Sequence, residues 1–422
     1  MKTQWLWQKV DAAPMRLMVL GIGATIAARA VHLTLFTEHL EKAALLFPYW
    51  GFGWLPRLPG ALATPFLFAI AWCMVWAISN RPSSRYGAIL GWLGFTYYFL
   101  LDAAFYGHMN YALIWFGLAL IVAPPVMRDG DRVPAWLILA PRVLFAVIYF
   151  FAGVVKLYPE WLDGTVLLIF MQDAGMSPGL YETLSQEPLP SILAIAGALF
   201  DLTIGPLLLI PKTRRYAVVV ALMFHTGNTI LVGLGFLPLV FSVLTLAVFL
   251  DPGWGRKLLG WKEDPPEPIE AEPPPIPVRV ALGALLLFHL VMPLRPYIIY
   301  PGDSRWTHDA QHFSWWLRST ATKAKLKVYV VSLETPRQEV EMLDYITMSQ
   351  GSMAHTPRML VHFARFLAEE RRARGETGVR VYVDVEVSLN GREYRRFIPD
   401  VVDLATVEDT YSMEHLVEHE YR

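Results

Sequence analysis

The stretch 146-AVIYFFAGVVKLYPEWLDG-164 carries an apolar run into a polar loop, and Lys156 stands at the junction. Thirteen uncharged residues, 143–155, precede that lysine. An ammonium group at the edge of a bilayer is costly while charged and reactive once neutral, so burial there turns a surface cation into a candidate base. On the residues alone two readings stand. Lys156 either snorkels its charge to the interface or serves as a buried base.

The rest of the chain agrees with a membrane setting. Hydrophobic residues make up 55% and charged residues 17% of 422 positions, and mean hydropathy is +0.37, which is too apolar and too charge-poor for an ordinary soluble enzyme. Runs of mostly apolar residues predict nine spans at 16–36, 60–79, 86–106, 110–127, 135–155, 189–210, 216–233, 236–251 and 278–294. Lys2, Lys9, Arg16, Arg81, Arg85, Arg128, Arg132, Lys212, Arg214, Arg215, Arg256, Lys257 and Lys262 all fall in alternate loops. The positive-inside rule makes that side cytoplasmic, with the N-terminus inside and the C-terminal region outside. The first span also reads as a signal peptide with Ala28-Arg29-Ala30 as a cleavage site, which would leave eight spans facing the same way. A net charge of -1 without a basic-aromatic stripe predicts no nucleic-acid partner. The single cysteine, Cys73, excludes an intrachain disulfide and a cysteine-based zinc site.

The predicted class is an α-helical polytopic membrane protein carrying a C-terminal extracytoplasmic α+β domain, with domains at 1–300 and 301–422. The acidic, proline-rich segment 263-EDPPEPIEAEPPPIP-277 cannot be helical and reads as an extended cytoplasmic linker. In the outer domain 325-KLKVYVVSLE-334 predicts a strand, and Thr356-Pro357 opens a helix running to about Arg374. Val379 to Leu389 alternate with polar residues, and Asn390-Gly391 turns that strand into 392-REYRRFI-398.

Polar residues inside spans are candidate functional groups. His225, Asn228 and Thr229 share one helical face. His225 lies about 13 Å and Asp201 about 18 Å from their respective ends of the membrane at 1.5 Å per residue, so both stand near the midplane. Their plain reading is an Asp201–His225 hydrogen bond. Asp102, His108 and Arg29 lie towards the outer side and could line one cavity with Lys156. Equally, His108 could be a solvated loop residue, and Arg29 could snorkel or pair with an aspartate. No metal-ligand spacing, phosphate loop or nucleophile elbow is present, so no metal is predicted, and His308 and His312 read as ordinary polar residues.

Eight stretches in order resemble one family: 51-GFGWLPRLPG-60, 94-GFTYYFLLD-102, 149-YFFAGVVKLYPEWLDG-164, 199-LFDLTIGPLLL-209, 224-FHTGNTILVGLGFLP-238, 292-MPLRPYIIYPG-302, 306-WTHDAQHFSWWLRS-319 and 386-EVSLNGREYRRFI-398. They resemble the vitamin K-dependent gamma-glutamyl carboxylases, including bacterial members with the horizontally transferred transmembrane domain. The resemblance implies a carbon–carbon lyase in which Lys156 deprotonates reduced vitamin K or menaquinol. Dioxygen then yields an epoxide-forming alkoxide that takes a γ-proton from a glutamate, and carbon dioxide captures the carbanion. It also implies that a glutamate-bearing protein or peptide arrives from outside; with it, the polar candidates read as catalytic for His108 and as lining the quinol pocket for His225, Asn228, Asp201, Asp102 and Arg29. One position departs from the pattern. Counting from Asp102, His108 falls where the family has Asn, and Met109 where it has His, so either His108 substitutes by a one-residue shift or carboxylation is lost while quinol oxidation remains. A third reading, outside enzymes, is a lipid or small-molecule carrier in which Lys156 and Asp201 bind an anionic headgroup.

Overall fold

The computed structural model describes residues 6–300, 302–308 and 311–418. Lys2 lies outside them, as do Pro301, Asp309 and Ala310 within two of the quoted stretches. Among the described residues nine long helices occupy the nine apolar runs. They are α1 (Ala13–Leu33), α2 (Gly60–Ala77), α3 (Ser84–Leu100), α4 (His108–Val122), α5 (Ala135–Val154), α6 (Leu189–Leu209), α7 (Pro211–Leu231), α8 (Phe236–Leu246) and α9 (Ile276–Ile298). Five of them are long and apolar enough by themselves to cross a membrane: α1 with its short extension, α2, α5, α6 and α9. Helix α7 is long, but Lys212, Arg214 and Arg215 in its first turns lower its hydropathy.

Two boundaries differ from expectation for clear reasons. Helix α7 starts at Pro211, five residues early, because proline is pre-shaped for a first helical position. Helix α3 stops at Leu100 instead of running to 106. Asp102 breaks it by accepting from the Ala104 N–H at 2.9 Å, which opens a separate 3-10 turn at Ala103–Phe105.

Helix α1 packs along its length against α2, α4 and α8, which makes it central to the bundle. At one end of the bundle Lys9–Asp11 (β1) pairs antiparallel with Arg132–Pro134 (β2). The proline-rich linker is extended as expected, yet it is docked rather than loose. Ile269 bridges to Lys9, and the Arg132 side chain donates to Glu267 O at 3.0 Å.

The C-terminal domain stands at the opposite end. Its sheet contains Thr322–Val331 (β3), Gln338–Val340 (β4), Arg380–Leu389 (β5) and Arg395–Ile398 (β6), all antiparallel in the order β4-β3-β5-β6. Asn390 and Gly391 take φ values of 55° and 78°, the left-handed pair a tight hairpin needs. The helix Pro357–Ala373 (α10) buries Leu360, Phe363, Ala364 and Leu367 on one face, at the i, i+3, i+4, i+7 spacing. Each such Leu or Phe contributes about 1.5–3 kcal/mol when fully buried.

Hydrogen bonds as well as packing seat the domain without a disulfide. The Ala44 N–H donates to Tyr345 O at 2.8 Å, and Gln350 Nε2 donates to Asp102 Oδ2 at 2.8 Å and to Leu45 O at 3.1 Å. Further along the seam the Phe313 N–H donates to the Tyr106 hydroxyl at 3.1 Å.

Candidate functional site

Small residues on α5 and α6 bring the site together. A Cβ on Gly153 would meet Leu202 Cγ at 2.7 Å, and one on Gly205 would meet Ala146 Cα at 2.7 Å, so the two helices cross in near-backbone contact. That crossing lets Asp201, on α6, reach a lysine just beyond the end of α5. Lys156 Nζ donates to Asp201 Oδ2 at 2.6 Å and back to Ala152 O at 3.1 Å. Both side chains are buried, at 8% and 5% exposure. Lys156 therefore does not snorkel. The Trp161 ring stands 5.1 Å from Nζ, closing another side.

The loop that follows Lys156 is held by the C-terminal domain. The Tyr158 hydroxyl donates to Ser319 O and accepts from Asn390 Nδ2 at 3.3 Å. Arg305 stacks over the Tyr158 ring at 4.5 Å, and Arg392 pairs with Glu160.

The expected Asp201–His225 bond is not made, because Lys156 takes the aspartate. His225 Nε2 instead pairs with the Tyr149 hydroxyl at 2.8 Å, two turns before Lys156 on α5. Asn228 lies one turn beyond His225, half buried. Asp102 is buried, and its carboxyl accepts from the N–H groups of Phe47 (3.3 Å) and Ala104 (2.9 Å) and from Gln350, so its observed contacts join the domain to the bundle. Arg29 donates through Nε to Asn110 Oδ1 at 2.9 Å and lies 2.7 Å from His32 Nδ1, which ties α1 to α4.

His108 is the first residue of α4, after an extended Gly107 at φ -145°. Its Nε2 is buried with no hydrogen-bond partner among the described residues. The imidazole packs against the Tyr106 ring, which also meets His312. Met109, next along, packs half-buried against the hydrophobic core.

Sequence reasoning missed the aromatic chamber beside these groups. Tyr49 stacks on Phe99 at 5.3 Å, Tyr106 meets His108 at 5.1 Å and His312 at 4.8 Å, and Tyr111 packs on Trp315 at 4.5 Å between ring centroids. His312, read as an ordinary polar residue, packs half-buried among them, and desolvation there pushes its imidazole down to about 4. Backbone strain marks the same segment. His308, Phe313, Trp315 and Arg318 hold φ values of 58°, 66°, 55° and 43°, left-handed geometry that non-glycine residues adopt where their surroundings impose it.

Two family models match the chain. Residues 7–254 match the HTTM domain, and residues 276–420 match the vitamin K-dependent gamma-carboxylase lumenal domain. No solved structure matches.

Proposed function

The chain belongs to the vitamin K-dependent gamma-glutamyl carboxylase family, and from that premise we propose that it couples oxygenation of a reduced quinone to carboxylation of glutamate side chains. The observation that carries this reading is the buried Lys156–Asp201 pair, held under a domain that grips the adjoining loop.

A quinol bound there supplies the reducing equivalents for dioxygen chemistry; vitamin K hydroquinone and menaquinol both fit that role, and the family chemistry adds carbon dioxide and needs no metal. Lys156 is the base. In its basic form it would keep Ala152 O and Asp201 as its two acceptors and its lone pair would be free for a quinol hydroxyl. Asp201 orients the amine, and Trp161 helps to exclude water from it. His108, whose Nε2 has no hydrogen-bond partner among the described residues, would handle a second proton near the aromatic chamber. The basic end of the bundle would face the cytoplasm and the C-terminal domain the outer, aqueous side, where a glutamate substrate arrives; all nine helices would then span the bilayer.

Met109 at the family's histidine position motivates a second reading, a quinol oxidase or epoxidase without carboxylation. The open Nε2 of His108, one position before Met109, supports the first. A carrier that binds an anionic headgroup through Lys156 is disfavoured, because Asp201 already occupies the amine at 2.6 Å.

The test supplies purified protein with reduced vitamin K, labelled carbon dioxide and a glutamate peptide, and follows epoxide and fixed label separately. Both products are expected. Epoxide without label would select the second reading, and neither product from folded protein would overturn both.

A further inference from the structure

A groove of about 420 Å³ runs between α1, α7 and α8 at the end of the bundle away from the C-terminal domain. Among the described residues its walls are leucine, valine, alanine and glycine alone, with Gly21 and Ala24 from α1, Val218 and Leu222 from α7, and Leu246 and Leu250 from α8 and the turn after it. A Cβ on Gly21 would meet Leu244 Cβ at 2.8 Å, so α1 and α8 touch there and form the back of the groove. Ala24 and Val243 are exposed, so the groove opens sideways, where a bilayer would lie. An apolar opening of that kind takes up a hydrocarbon chain.

The mouth of the groove carries charge of one sign. Arg214, Val218 and Leu222 recur at i, i+4 and i+8 along one face of α7, so that wall leads out to a guanidinium, with Lys212 and Arg215 on either side. Opposite, Leu258 lines the groove and Lys257 precedes it. None of these cations pairs with a carboxylate among the described residues. Arg214 donates to Leu208 O and Leu209 O, Arg215 donates to the Tyr216 hydroxyl, and Lys257 lies over the Trp254 ring. Asp251, beside Leu250, is the single acid in residues 250–259, and it caps the short helix Pro252–Leu259 by accepting from the Gly253 N–H at 3.1 Å.

That helix is shaped for a membrane surface. Its Trp254 and Leu258, at i and i+4, are each 65% exposed, while Arg256 is buried in its pair with Asp11. Tryptophan rings settle at headgroup level, so Lys257 stands where lipid phosphates lie.

We infer that the groove binds an anionic phospholipid, with one acyl chain between α1 and α7 and the phosphate between Lys257 and Arg214. A neutral isoprenoid chain would fill the groove and leave the cations unmatched. A free phosphate would match the cations and leave the groove empty. The inference rests on the helices spanning a bilayer and is independent of the carboxylation.

The test is native mass spectrometry of the full chain released from nanodiscs made of equal parts phosphatidylglycerol and phosphatidylcholine. Phosphatidylglycerol should stay on the chain about tenfold more often than phosphatidylcholine, since each surface cation favours an anionic lipid. Ala24→Phe puts a ring into the groove from an exposed wall position and should abolish retention of both lipids. Lys257→Gln with Arg214→Gln should abolish the preference and leave the two lipids equally and weakly held. Arg214 also holds two carbonyls, so Lys257→Gln alone serves as the milder variant and should lower the preference several-fold. Equal retention of the two lipids by the native chain, or unchanged retention by folded Ala24→Phe, would overturn the site. Displacement of phosphatidylglycerol by added menaquinone would give the groove to an isoprenoid tail instead. Release by glycerol 3-phosphate alone would reduce it to an anion site without a chain, which also overturns the assignment.

Discussion

At the end of the bundle away from the C-terminal domain, Arg256 is 3% exposed and fully engaged: it pairs with Asp11 and Asp129 and donates through Nε to Glu263 O. The backbone amides of Lys262 and Glu263 close on the same Asp129. At the domain end, buried polar atoms are left open. His108 Nε2, the Tyr49 hydroxyl, Trp315 Nε1 and His308 Nε2 are buried without hydrogen-bond partners among the described residues. A buried polar group left unsatisfied costs about 1–3 kcal/mol, so a cluster of them is tolerated where something else completes it. The basic end is built to hold, and the domain end is built to receive.

The largest expected effect tests the receiving end. Lys156→Ala should lower epoxide formation by about 10²–10⁴-fold, the usual contribution of a positioned base. Asp201 would be left as a buried, unpaired acid, so Lys156→Ala with Asp201→Asn serves as the folded control. Product chromatography reads the result, and epoxide formed at the native rate would remove Lys156 from the chemistry.

Arg256→Ala applies the same operation at the holding end and should give the opposite signature. Removing one partner from a buried ionic cluster costs about 3–5 kcal/mol of stability. The melting temperature should fall, while turnover per folded molecule is unchanged. A loss of turnover without a loss of stability would erase the contrast between the two ends.

Most of the architecture was legible because it is local. Apolar run length placed all nine helices, proline set the start of α10, and Asn390-Gly391 set the hairpin. The site was legible in its residues but not in its pairings. Lys156 and Asp201 lie 45 positions apart, and their meeting depends on Gly153 and Gly205 letting two helices touch, which no periodicity encodes. That contact redirected Asp201 from His225 and left His225 to Tyr149. Position in the spans grouped Asp102 and Arg29 with the pocket, yet their observed hydrogen bonds go to Gln350, Asn110, His32 and backbone N–H groups. The strained segment from His308 to Arg318 left no sequence signal, since left-handed residues other than glycine are set by tertiary surroundings.

A graded effect separates the two ends by pH. Burial, the largest cause in each case, pushes the imidazoles of His308, His312 and His355 below their usual range, the last two to about 4. Between about 6.5 and 4 the folded state keeps these groups neutral while the unfolded chain takes up protons. Stability of the C-terminal domain should therefore be full above pH 6.5 and fall as the pH drops towards 4. Melting curves from pH 7.5 to 4.5 read this, and His312→Phe should flatten the slope. A slope of equal size in that variant would show that the titrating groups lie elsewhere.

The smallest effect lies at the seam itself, where the hairpin tip meets the loop after Lys156. Arg392 and Glu160 pair there with side chains 33% and 23% exposed, and solvent screening limits such a contact to about 0.2–1 kcal/mol. Asn390, one turn away, is 2% exposed, accepts from the Ala321 N–H at 3.0 Å and donates to the Tyr158 hydroxyl. Asn390→Ala leaves that amide without its acceptor and places alanine at positive φ, so it should cost more, about 1–3 kcal/mol. Urea unfolding of the two variants gives the order directly. If Arg392→Ala proves the costlier, the surface ion pair rather than the buried amide grips the Lys156 loop, and the C-terminal domain would hold the site by charge that salt can loosen.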